Sequence, residues 1–330
     1  MDRKSFLNRM AWGTLGGAAF LSSPFALAGC SNTENELFFK ISLAQWSLNR
    51  TYFGASRELG YEEFVNLLHT DTDRILQGDL DPLYFAQHSR EMFDIDAIEY
   101  VNTFYFDKAE NQSYLNELKN VADNEGVRSV LIMCDAEGAL GDPDLDARQQ
   151  AVENHYKWVE MASFLGCHSI RVNAMSEGSF EEQKERAADG LRNLTEYAAE
   201  EEINIVVENH GGYSSHGQWL VDTIEMVDHP NCGTLPDFGN FTISEDERYD
   251  IYQGTEELMQ YAKGVSAKTN GFDEDGNEIA MDYYRLMEIV RDAGYESYVG
   301  IEFEGDSLPE EEGVRKTKEL LIKVGKELTV

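Results

Sequence analysis

The chain has 330 residues, 42% of them hydrophobic, and sets 62 acidic against 27 basic side chains for a formal net charge of −35. Such an excess of carboxylates repels nucleic acid, anionic lipid and phosphorylated metabolites, which argues against all three as partners. The charge describes a solvated acidic shell and works by exclusion; it does not by itself mark a binding site.

Residues 1–30 read as an export signal and not as part of the domain. Arg3, Lys4 and Arg9 form a short basic region, and Met10 to Gly29 carry no charge. Leu27-Ala28-Gly29-Cys30 looks like a bacterial lipobox with Cys30 as the lipidated first residue of the mature chain. The start, Arg3-Lys4-Ser5-Phe6-Leu7-Asn8, resembles a twin-arginine motif with lysine in place of the second arginine. An uncleaved membrane helix is the alternative; the glycines at 13, 16 and 17 and Pro24 favour processing. The expectation is an exported protein, lipid-anchored at the bacterial cell envelope, that meets the membrane only through this N-terminal anchor. Residues 31–38 are then a tether, and residues 39–330 form one domain. Cys134, Cys167 and Cys232 form no CxxC pair and read as buried thiols.

From Phe39 onward, apolar runs suited to strands alternate with longer amphipathic segments, the rhythm of a parallel sheet with crossover helices. The strand candidates are Lys40–Trp46, Ala97–Asn102, Val127–Cys134, His168–Asn173, Ile203–His210, Gly233–Asp237, Gly264–Thr269 and Tyr298–Glu304. Helices are expected over Tyr61–Leu68, Leu115–Asn124, Asp146–Leu165, Phe180–Glu200, Trp219–Val227, Thr255–Tyr261, Met281–Ala293 and Glu310–Lys326, several stopping at glycine. Asn66–Tyr84 fits less well and reads as a loop or extra helix over the mouth. The fold class is α/β, a single (β/α)8 TIM barrel, whose functional site would sit at the C-terminal ends of the strands.

Polar residues recur at those ends. Side chains two apart on a strand share a face, which pairs Arg171 with Asn173, Glu208 with His210, Ser266 with Lys268 and Glu302 with Glu304. A carboxylate and an imidazole on one strand end, Glu208 and His210, can chelate a divalent cation; alternatively Glu208 is salt-bridged to Arg171 and His210 caps a loop. Asp237 and Glu302 follow two further apolar strands, and buried carboxylates need a partner or a metal. Glu304 is expected beyond the mouth, in solvent. Lys268 is a substrate-binding cation or electrophile, or it neutralises the acidic cluster. Arg171, Asn173, Gln45 and Glu99 are candidates for binding substrate hydroxyls, with His210 and Asn240, and Trp46, Tyr105 and Phe238 could offer stacking faces. His155 and His168 read as structural.

Val206-Val-Glu-Asn-His210, Leu235-Pro-Asp-Phe-Gly-Asn240, Val265-Ser-Ala-Lys268, Gly294-Tyr295 and Gly300-Ile-Glu302 together resemble the xylose isomerase-like barrel superfamily, especially its sugar phosphate isomerase/epimerase group. Lys157-Trp158 and the run Leu165 to Asn173 extend the likeness over most of the mature chain. The resemblance implies one divalent ion, Mn, Mg or Co ahead of Zn, held by Glu208, Asp237 and Glu302, with the two glutamates also serving as acid and base. It implies proton transfer at a carbon next to a carbonyl or hydroxyl of a small carbohydrate. The chain departs from the family pattern at Ser266 and Asn240, where many members have histidine, so that the site has a weak position or recruits His210 or His216.

Phosphate would need a basic pocket or a Gly-rich helix start, so an unphosphorylated sugar, keto-sugar or glycoside is the expected substrate of an isomerase or epimerase. A lyase or dehydratase on a keto-glycoside or keto-inositol would use the same site, and a carbohydrate-binding lipoprotein without metal is the non-enzyme alternative. An abasic-site nuclease, which the superfamily includes, would need a histidine-rich zinc cluster and a basic face that this chain lacks. No oligomeric state is implied.

Overall fold

The computed structural model describes residues 37–329; the expected export signal with Cys30, and most of the tether, lie outside them. In chain order the elements are β1 (Lys40–Ala44), α1 (Asn49–Phe53), α2 (Tyr61–Thr70), α3 (Phe85–Phe93), β2 (Ala97–Val101), α4 (Gln112–Glu125), β3 (Arg128–Met133) and α5 (Leu145–Leu165). There follow β4 (Ser169–Val172), α6 (Phe180–Glu200), β5 (Asn204–Glu208), α7 (Gly217–Val227), β6 (Cys232–Leu235), α8 (Ile251–Met259), β7 (Val265–Thr269), α9 (Tyr283–Asp292), β8 (Tyr298–Phe303) and α10 (Glu310–Leu328).

All eight strands are parallel and run β6-β5-β4-β3-β2-β1-β8-β7 across one sheet. The sheet curls so that its two ends meet: Thr234 pairs with Ala262 and Asp237 with Ser266 in isolated parallel bridges. Ser266 N–H donates to the Pro236 carbonyl at 2.9 Å and Phe238 N–H to the Ser266 carbonyl at 3.1 Å. This is the arrangement of a (β/α)8 barrel. The closing strand β6 is short because Pro236, immediately after it, has no N–H to give a ladder.

Local chemistry accounts for the helix ends. Ser179 and Glu182 form a reciprocal capping box at the start of α6, and Asn111, Asp144, Asp250 and Asp282 cap α4, α5, α8 and α9. Gly126 and Gly166 end α4 and α5 in the left-handed conformation at φ 65° and 81°. Leu43, Ile98, Leu131, Ile170, Val207 and Ile301 have no exposed surface. Cys134, Cys167 and Cys232 are free, buried thiols as expected.

Two stretches differ from expectation. The first strand stops at Ala44 and turns into a 3-10 segment, Gln45–Leu48. The cause is Ser47, whose Oγ donates to the Ile301 carbonyl at 3.1 Å and accepts from Phe303 N–H at 3.0 Å, replacing a strand rung beside β8 with a side chain. The unexpected helix α3 follows a short 3-10 turn that Asp81 caps with Pro82 in its first position, and it buries Phe85, Ala86, Ser89 and Phe93 along one stripe. Among the described residues, no helix is long and apolar enough to cross a membrane.

Candidate functional site

At the C-terminal ends of β4 to β8, the structure gathers Arg171, Glu208, Asp237, Asn240, Ser266, Lys268 and Glu302. In-register pairing sets Lys268 directly beside Glu302, and the bridge between Asp237 and Ser266 brings the β6 end alongside. Lys268 Nζ lies 3.1 Å from Glu302 Oε1, 3.2 Å from Glu304 Oε2 and 3.7 Å from Asp237 Oδ2, and donates to Asn240 Oδ1 at 3.1 Å. The Asn240 amide in turn donates to Glu208 Oε1 at 2.7 Å. Glu208, Asn240, Lys268 and Glu302 thus form one continuous chain of contacts across the mouth.

A second cation, Arg171, serves the other side. Its Nε stands 2.7 Å from Glu208 Oε2, but that N–H does not point at the oxygen, so the contact is an ion pair without a formed hydrogen bond. Its Nη1 donates to Asp135 Oδ1 at 2.9 Å, where the Asn173 amide also donates, at 2.8 Å. Arg171, Glu208, Lys268 and Glu302 are each 4% exposed or less, so the pairs operate in a medium where charge interactions are strong.

The environments push the acids in different directions. Burial would raise Glu208, but the attraction of Arg171, His210 and Lys268 outweighs it and holds this carboxyl below its ordinary range. Burial wins at Glu302, which is raised despite Lys268, and at Asp237, pushed up to about 8. Glu99, inside the barrel on β2, is likewise pushed up to about 8 by burial; it accepts from Ser42 Oγ at 2.6 Å, and a Cβ on Gly300 would fall 2.6 Å from its carboxylate oxygens. Burial lowers the proton affinity of Lys268, but Asp237, Glu302 and Glu304 more than compensate and it stays firmly protonated.

Glu99 supplies a test of this electrostatic picture. Between its ordinary value of 4.5 and about 8, the unfolded chain is ionised there while the folded chain keeps the proton, so its contribution to stability is present at low pH and lost as pH rises through that window. Glu99→Gln should therefore gain on the wild type by on the order of 4 kcal/mol between pH 4.5 and 8, measured as urea midpoints at both pH values. Parallel pH curves for the two proteins would refute the buried neutral acid.

Other expected residues sit elsewhere. Gln45 is fully buried and is occupied by Tyr105 OH and the Val101 N–H. Tyr105 and Phe238 are core residues without exposed surface; Trp46 is half-buried at the mouth and donates from Nε1 to Glu304 Oε1 at 2.7 Å. Glu304, expected in solvent, is therefore drawn inward by Trp46 and Lys268, its side chain 32% exposed. His210 is exposed, past the end of β5, and His216 caps α7 through Nδ1. His155 bonds the Ala151 carbonyl within its helix, a structural role. Sequence reasoning missed Asp135, two residues past β3, and Asn209, whose side chain accepts from Asp237 N–H at 2.8 Å and donates to the Asp237 and Asn240 carbonyls.

The residues present do not fit a divalent ion as they stand. Hard cations require several free oxygens at about 2.0–2.6 Å. Here Asp237 Oδ1 accepts the N–H groups of Gly239 and Asn240, and its Oδ2 accepts from Ser266 Oγ at 2.7 Å. Ser266 also reaches Glu302 Oε2 at 3.4 Å, while Glu208 is held between Arg171 and Asn240. Among the described residues no group of three His, Cys, Asp or Glu side chains is arranged to hold a metal, which departs from the ligand set that the resemblance implies.

The fold has known counterparts. No curated protein matches the chain in sequence. Among solved structures, the 3-keto-D-glucoside 4-epimerase YcjR from E. coli superposes with a TM-score of 0.60 at 18% identity, over 74% of this chain and 94% of that one. An L-ribulose 3-epimerase gives 0.62 at 15% identity over 88% and 95%. A xylose isomerase-like TIM barrel protein from Mycobacterium smegmatis, crystallised in complex with magnesium, gives 0.62 at 14% identity over 88% and 98%. The family model described as xylose isomerase-like TIM barrel matches residues 90–324, and the chain belongs to that family.

Proposed function

We propose that the chain is a sugar isomerase or epimerase that moves a proton at a carbon next to a carbonyl of an unphosphorylated sugar, keto-sugar or glycoside. The observation that carries this reading is the pair Glu208 and Glu302. The two are linked through Asn240 and Lys268 and held in environments that drive their proton affinities apart. Such a split assigns a base and an acid within one site. Glu208, kept ionised beside Arg171, takes the proton from carbon; Glu302, which retains a proton more readily, returns one. The names of the structural relatives, a keto-glucoside epimerase and a ribulose epimerase, support the same class of substrate.

Specificity would come from the partly exposed rim, where Asp135, Asn173, Asn240 and Glu304 offer hydrogen-bonding groups and Trp46 an aromatic face. Nothing in that rim is arranged for a phosphoryl group. The test is incubation with keto-sugars and keto-glycosides in heavy water, followed by NMR: deuterium should enter at the carbon next to the carbonyl. No exchange across such a panel, with the sugars bound all the same, would leave a carbohydrate-binding barrel.

We infer also that the protein acts outside the cytoplasm, tethered by lipid at Cys30, on the strength of the lipobox alone. Labelled palmitate should enter the wild type expressed in a bacterial host and not Cys30→Ser; equal labelling would reject the anchor.

A further inference from the structure

We propose that the ammonium group of Lys268 is the resident cation of this site, standing among the carboxylates in the place of the divalent ion that the family resemblance implies. The inference rests on the acid-base reading above for its chemistry and on geometry alone for its cation.

The backbone is shaped for the lysine. Gly239 faces its stem so closely that a Cβ there would fall 2.8 Å from Lys268 Cδ, and Tyr283 OH donates at 2.6 Å to the Lys268 carbonyl, fixing the end of β7. The head group then meets four oxygens, from Glu302, Glu304, Asn240 and Asp237, between 3.1 and 3.7 Å. Those are hydrogen-bonding and ion-pairing distances for an ammonium.

Ser266 completes the case. It lies two residues before the lysine on the same strand face, and its hydroxyl proton points to Asp237, with Glu302 also in reach. A hydroxyl whose one proton serves Asp237 occupies an oxygen that an ion would otherwise claim. A divalent ion placed there would have to displace these donors and sit against a buried ammonium with Arg171 nearby, both positive.

The substitution leaves a workable reaction. As Glu208 takes the proton, the C–H electron pair becomes the carbon–carbon double bond and the carbonyl π pair moves to oxygen. Lys268 donates a hydrogen bond to that developing oxyanion without giving up its proton. The oxygen pair then returns as carbon is reprotonated from Glu302, and proton exchange with water restores Glu208 to its ionised and Glu302 to its protonated form, so no oxidant or metal enters.

The first measurement is the metal content of the full chain in detergent after exposure to Mn, Mg, Co or Zn and dialysis, with calorimetric titration of Mn. The wild type should hold far less than one ion per chain, whereas a Ser266→His, Lys268→Met double variant should gain one. About one ion in the wild type, lost in Glu302→Gln, overturns the proposal. In the deuterium assay, Lys268→Met should lose about 10²–10³-fold and Lys268→Arg recover part of it. Wild-type exchange in a folded Lys268→Met protein would also overturn the proposal. Failure of every sugar to exchange would count against the acid-base reading, and the metal measurement would still decide this one.

Discussion

Glu302→Gln and Glu208→Gln should each slow solvent-deuterium exchange at the substrate carbon by about 10²–10⁴-fold, the usual worth of a positioned general acid or base. Glutamine keeps the length and hydrogen-bonding shape of the side chain but cannot carry the proton. Because each glutamate completes only half of the transfer, the two losses should not multiply: the double variant should be little worse than the poorer single one. The effect should fall on kcat, with substrate affinity nearly unchanged, since the rim that binds hydroxyls is untouched. Circular dichroism of each variant separates lost chemistry from lost fold. Exchange within a factor of three of wild type in both folded variants would remove these residues from the mechanism.

Arg171→Met should cost about 3–5 kcal/mol of stability, the penalty for breaking a buried ion pair from one side. Methionine can fill much of the arginine stem, so the loss is chiefly that of a cation shared by Glu208 and Asp135. With the charge gone, burial is left unopposed by its principal counterweight at Glu208, whose proton affinity should rise and whose fitness as a base should fall. Adding Glu208→Gln to Arg171→Met should recover part of the stability, because no unpaired carboxylate remains. Urea unfolding of the four proteins gives the coupling directly; strictly additive losses would show that the two side chains do not interact energetically.

The strands were legible because each is a short apolar run ending in polar residues, and all eight fall within two residues of their expected bounds. Residues sharing a strand face were legible as well: Ser266 with Lys268, and the convergence of Glu208 with Glu302 from two separate strands. Harder to read were side chains that stand in for backbone. Asn209 ties the ends of β5 and β6 together with three hydrogen bonds, and Ser47 replaces a rung beside β8. Both depend on chain segments far apart in sequence, which periodicity does not encode. Helix α3 was hidden for another reason: its apolar stripe follows a long irregular stretch that obscures where the period begins. The cation among the carboxylates was left open in sequence between an ion and Lys268, whose neutralising role was already one reading and whose head group the structure sets beside Glu302, Glu304 and Asp237.

The close fit of Gly239 against the Lys268 stem bears on how this barrel can change over evolutionary time. A Cβ at 239 would stand 2.8 Å from Lys268 Cδ and 3.1 Å from its Cγ, so a side chain there makes the lysine stem move, and with it the ammonium that faces the carboxylates. The two positions are therefore expected to vary together, glycine at 239 accompanying a long side chain at 268.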